Sequence, residues 1–144
     1  MAGNKFYINA TKVRWRMSAN NPQEICRLFQ RYMAEGDLNL VLSLYDEEAV
    51  FAKQTGEVTK GREALKAELT PLAAGKPRFD YTVKQVIETG EIALMHTEWN
   101  VSGTDPITVY AIEVARRQPD GTWRWLIGDP YTVGRNMSVS RKGR

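Results

Sequence analysis

The spacing of apolar residues changes once along this chain, from a helical period before Pro77 to a period of two after it. Ile25, Leu28, Phe29 and Tyr32 recur at the interval that lines one face of a helix. Asn21-Pro22-Gln23-Glu24 has the form of that helix's start: a capping asparagine, proline in the first helical position and a glutamate three residues past the cap. A turn at Gly36 follows, and Asp37 can cap a short second helix carrying Leu38, Val41, Leu42 and Tyr45. The apolar run Ala49-Val50-Phe51-Ala52, between the acidic cluster Asp46-Glu47-Glu48 and Gly56, predicts a short strand or rim segment. Thr59 or Gly61 opens a third helix with Ala64, Leu65, Glu68, Leu69 and Leu72 giving one apolar face, ended by Gly75 and Pro77.

From Phe79 the pattern alternates. Phe79, Tyr81, Val83, Gln85 and Ile87 fall on one face of a strand, and Asp80, Thr82, Lys84, Val86 and Glu88 on the other. Thr89-Gly90-Glu91 turns into a strand over residues 92–101, and Ser102-Gly103-Thr104-Asp105-Pro106 turns into another over 107–117. Asp120-Gly121 is a strong hairpin signal before the last strand, 123–131. Three helices followed by four meandering strands predict an α+β fold, with the helices closing one face of a curved, mainly antiparallel sheet. Such a sheet encloses a pocket.

The length of 144 residues, with 42% hydrophobic and 26% charged residues, suits one domain with one core. The formal charge of +3 suggests nucleic acid until its distribution is read. Residues 1–21 carry four basic side chains and no acid, and residues 132–144 carry four more, again without acid. Between them stand 12 basic and 17 acidic residues, a net of −5. The expected organisation is therefore a basic N-terminal extension (1–20), a mildly acidic domain (21–132) and a basic C-terminal tail (133–144). The ends read as solvated tails or weak phosphate contacts, with no specific nucleic-acid site. Trp15, flanked by Arg14 and Arg16, is either an anchor on a neighbouring surface or part of such a tail. Cys26 is the single cysteine and sits beside the first helix's core face, so it reads as a small buried hydrophobe and excludes a disulfide framework. No apolar run suits a signal peptide or a membrane span, which makes the cytoplasm the expected location.

Gly36-Asp37 followed by Leu44-Tyr45 and Ala49-Val50, the helix start Lys60-Gly61-Arg62-Glu63-Ala64, and the strand pair closed by Asp120-Gly121-Thr122-Trp123-Arg124 carry a resemblance. Over about residues 22–131 the chain resembles the nuclear-transport-factor-2-like superfamily, in particular its bacterial SnoaL-like group related to ketosteroid isomerase. The resemblance implies a cone of sheet and helices with a pocket at its open end, cofactor-independent isomerase, dehydratase or cyclase chemistry, and dimerisation through the sheet. Other members of this fold are non-catalytic binding or dimerisation modules. The residue sets of its best-understood enzymes are not met. The tyrosine and general-base aspartate of the ketosteroid isomerases fall at Leu28 and Lys53, and only their hydrogen-bonding acid has a counterpart, Glu113. A lysine ammonium cannot accept a proton as that carboxylate does, and leucine has no donor for an enolate oxygen. The arginine, aspartate and aspartate of limonene-type epoxide hydrolases fall at Thr97, Trp99 and Gly128, unless a one-residue slip lets Asp129 serve as the last.

Glu113 is the foremost candidate, because Val109, Ala111 and Ala115 share its face and would surround a carboxylate with apolar groups. Burial raises a carboxyl pKa towards the range of a general acid, though a structural ion pair with Lys53 or an arginine is the alternative. Lys53 is a cation for an anionic ligand group or a solvated rim residue, and Asp129 reaches the pocket mouth or merely terminates its strand before Pro130. Phe51, Phe79, Tyr81, Met95, Thr97 and Trp99 are the candidate lining for a hydrophobic small molecule. His96, the single histidine, falls on the opposite strand face and has no second histidine or cysteine at ligand spacing, so no metal is expected. Tyr110, Ile112, Val114, Trp125 and Ile127 would form an apolar outer face and hence a homodimer.

Overall fold

The computed structural model describes residues 18–103 and 105–142. Helix α1 (Pro22–Glu35) starts as its cap predicts, with the Asn21 side chain accepting from the Glu24 amide at 2.9 Å. It ends in a left-handed Gly36 (φ 71°), whose amide donates to the Met33 carbonyl while the Asp37 amide donates to Tyr32. Those two bonds satisfy orphan carbonyls of the last turn and need a residue that tolerates positive φ. Asp37 then caps α2 (Leu38–Ser43) through the Leu40 amide at 3.1 Å. Ile25, Cys26, Leu28, Phe29, Tyr32 and Met33 are buried, so one face of α1 lies in the core.

Six strands follow from here on: β1 (Tyr45–Ala52), β2 (Val58–Lys60), β3 (Arg78–Thr89), β4 (Ile92–Ser102), β5 (Ile107–Arg117) and β6 (Trp123–Asp129). They form one curved, unclosed sheet in the order β2-β1-β6-β5-β4-β3, antiparallel except where β1 pairs with β6. Helix α3 (Arg62–Ala74) links β2 to β3 and buries Leu65, Leu69 and Ala73. The α+β architecture is the expected one, with differences in detail. The first strand is longer than its apolar run: Tyr45, expected on the second helix, already pairs with Trp125 in β1, and Tyr45 and Asp46 are both buried. Thr59 belongs to β2, and α3 starts after Gly61. The segment expected as a tail forms a fourth helix, α4 (Thr132–Lys142). Residues 1–17, including Trp15, lie outside the described residues; Ala19 is buried, and its carbonyl accepts from the Trp123 amide at 2.9 Å.

Two bulges correct the alternation. In β3 the register shifts between Val83 and Gln85, so Val86, opposite Met95, packs on the core and Ile87 is exposed. In β6 the shift falls between the Ala115–Trp125 and Val114–Ile127 pairs. Trp125, expected on the outer face, is consequently buried inside, while Ile127 stays outside at 46% exposure. An extra residue in one strand reverses the side of everything beyond it.

Candidate functional site

The concave face of the sheet, α1, α3 and α4 enclose a cavity of about 850 Å³. Its walls are largely aromatic. Phe29 of α1 stands with its ring 5.3 Å from Phe79, 5.3 Å from Trp99 and 5.2 Å from Trp125, in tilted or edge-on contacts. Phe51 and Tyr45 come from β1, and Tyr131, Arg135 and Met137 reach the cavity from the segment entering α4 and from α4 itself.

Glu113 is a carboxyl held inside this wall, 7% exposed. Strand β5 alternates Ala111, Glu113 and Ala115 inward, and the two small neighbours leave room for the carboxyl. The Thr97 hydroxyl donates to its Oε1 at 2.7 Å and the Trp99 indole to its Oε2 at 3.1 Å, both from β4. Burial pushes its pKa up and the two hydrogen bonds pull it part of the way back, leaving it raised to about 7. Behind Thr97 the Cys26 thiol is pushed up by burial and by the charge of Glu113, and a hydrogen bond with Thr97 opposes this. Tyr45 is pushed up in the same way, by burial first and Glu113 second. The indole N–H of Trp125 is buried without a hydrogen-bond partner.

Gly128 stands between Phe51 and Glu113 as the β6 partner of both. A Cβ there would come within 3.3 Å of the Phe51 ring, so the absence of a side chain lets that ring close over the strand. The position that holds an aspartate in the epoxide-hydrolase pattern here serves packing.

The structure brings some of the candidates together and separates others. Phe51, Phe79 and Trp99 line the cavity, and Thr97 holds Glu113. Met95 does not line it, being wholly buried in the core, nor does Tyr81, whose ring packs on Trp99 at 5.3 Å. Lys53 is a correction as a partner of Glu113. Its ammonium pairs with Glu68 of α3 at 3.3 Å and does not face the cavity. Asp129 is at the mouth, with Oδ1 accepting from the Tyr131 and Thr132 amides at 3.0 and 3.1 Å. Burial raises its pKa, but these turn hydrogen bonds and the nearby Arg135 outweigh it and hold the carboxyl below its ordinary value. His96 lies half-buried on the outer face, as expected, and no metal-binding cluster occurs among the described residues. Sequence reasoning missed Phe29, Trp125 and Arg135 as wall residues. Phe29 carried a signal in its place on α1's apolar face, whereas Trp125 was hidden by the bulge and Arg135 by its basic, polar surroundings.

A family model of the SnoaL-like domain matches residues 26–131. The chain belongs to the SnoaL-like family. No curated protein matches the sequence. Among solved structures, this SnoaL-like chain is similar to a candidate calcium/calmodulin-dependent protein kinase type II association domain from Thiobacillus denitrificans, at 18% identity and a TM-score of 0.68 over 80% of this chain and 98% of that one. It is similar to a candidate SnoaL-like polyketide cyclase from Shewanella denitrificans, at 16% identity and TM-score 0.57 over 86% and 100% of the two chains. A candidate dehydratase of the NTF2-like family from Streptomyces avermitilis matches at 19% identity and TM-score 0.57 over 72% and 87%. These likenesses establish the NTF2-like, cystatin-like fold of this SnoaL-like domain and leave its chemistry to its own residues.

Proposed function

We propose that this SnoaL-like protein binds a hydrophobic small molecule in its cavity and moves a proton on it through Glu113, in an isomerisation, dehydration or cyclisation. The observation that carries the reading is a buried carboxyl facing a cavity with aromatic walls, where burial raises its pKa to about 7. Thr97 and Trp99 act as positioning residues. The Trp99 indole can only donate, and the Thr97 hydroxyl donates as well, so each occupies a lone pair on a different carboxyl oxygen. The exchangeable proton of Glu113 is then left for a lone pair that neither residue uses. No base or cation need assist from Lys53, which is committed to Glu68.

Binding without turnover is the second reading. It is favoured by one observation: the Asp129 carboxylate is engaged in the turn before α4, which leaves Glu113 without a second carboxylate placed for catalysis. Glu113→Gln keeps the shape of the side chain and removes the titrating group. With a ligand identified from the purified protein by native mass spectrometry, proton-transfer catalysis requires turnover to fall by at least ~100-fold in this variant while binding persists. Turnover unchanged by the substitution would refute the catalytic reading. We also propose a homodimer formed through the outer sheet face, where Ile112, Val114 and Ile127 lie; Tyr110, expected there too, packs beside Gly134 of α4 and lines the cavity.

A further inference from the structure

Arg135 is the one cationic side chain on the cavity wall among the described residues. It takes part in none of the ion pairs formed there. Its Nη2 donates to the backbone carbonyl of Gln54 at 2.8 Å, which ties α4 to the turn between β1 and β2 and holds the guanidinium at the mouth. A neutral carbonyl uses one donor and leaves the charge and the rest of the donor fork uncommitted. Asp129 is near enough for Arg135 to help keep it ionised, but the two are not within ion-pairing distance, and Asp129 Oδ1 already accepts two amides. The same cavity is lined by the apolar and aromatic side chains of Met137, Tyr131, Phe51 and Trp99, and by the buried carboxyl of Glu113.

A cation at the mouth, aromatic walls and a buried carboxyl within describe a complementary molecule. We infer that the ligand is an amphipathic organic anion, with its apolar body among the aromatic rings and its carboxylate on the Arg135 guanidinium. This inference names the substrate class and rests on the pocket reading above. Arg135 is exposed, so the bound carboxylate stays partly hydrated and its contribution is moderate and salt-sensitive.

The test uses 2-naphthoate and its methyl ester as probes of matched apolar body. Each is titrated into the full chain near pH ~6, where a free carboxylic acid is ionised and Glu113 is mostly protonated, and is followed by tryptophan fluorescence and calorimetry. The expected result is ~3- to 10-fold tighter binding of the acid than of the ester. Arg135→Met abolishes that preference and leaves ester affinity unchanged, and added salt weakens only the acid. Equal binding of acid and ester by the unaltered protein overturns the anion site while the pocket stands. Equal weakening of both probes by Arg135→Met overturns it too, because the residue would then act by holding α4. Failure of both probes to bind removes the pocket reading and this inference together.

Discussion

Glu113 shows how one side chain's neighbours decide its chemistry. Its pKa is raised by folding, so the folded state holds the proton more tightly than the unfolded chain does. The resulting stability is fully present below the unfolded value near ~4.5 and is lost as pH rises through about 7. Chemical denaturation between these limits is expected to show a fall of roughly 3 kcal/mol from this group, and Glu113→Gln is expected to remove it. A wild-type profile that stays flat over that window, compared with Glu113→Gln, would contradict the buried acid. Gly128 makes a second prediction. Gly128→Ala presses on Phe51 and is expected to cost about 1–2 kcal/mol and to weaken binding of the cavity's ligand, measured by thermal melting and titration on one sample. Glu113 was legible in the sequence because Val109, Ala111 and Ala115 announced an apolar face around it. Its partners Thr97 and Trp99 came from another strand's register, which no local pattern specifies.

Caps and turns lie within a few residues of what they control, which explains why α1, α2 and the hairpin at Asp120-Gly121 were readable. Strands are different, because their faces depend on a partner. The bulges in β3 and β6 each turned residues to the other side, taking Trp125 from an expected outer position to the cavity wall. The acidic cluster after α2 gains a role only once β1 and β5 are brought to one polar network. Arg116 grips Asp46 with two hydrogen bonds of 2.8 and 3.0 Å, and Gln118 and the Glu48 amide add two more. Burial pushes the Asp46 carboxyl up, but these partners outweigh it and lower its pKa to about 2. The sign is opposite to that of Glu113. This contribution is present above the unfolded value near ~3.8 and is lost as pH falls through about 2. Asp46→Asn should lower stability at neutral pH and flatten the acid limb of the stability profile, as read by denaturation at each pH. An unchanged acid limb would dissociate the network from acid sensitivity.

For the complete molecule, the outer sheet face and the C-terminal helix are the features with most consequence. Ile112 and Val114 alternate outward from β5, with Ile127 of β6 beside Val114, and water-facing apolar strands favour association. Analytical ultracentrifugation is expected to give a dimer, and Val114→Lys a monomer with an unchanged circular dichroism spectrum. A monomeric parent protein would end that proposal. No helix among the described residues is long and apolar enough to cross a membrane. The order of the first three helices, the caps of α1 and α2, the α+β class and the inward carboxyl of β5 were written in local periodicity and turn chemistry, because those forces act between residues close in the chain. The bulges, the pairing of Lys53 with Glu68, the packing of Ala19 and the folding of a basic tail into a cavity wall depend on partners 10 to 104 residues away. Such contacts exist only after the sheet has assembled, and their energies are those of a particular three-dimensional arrangement rather than of any stretch of sequence.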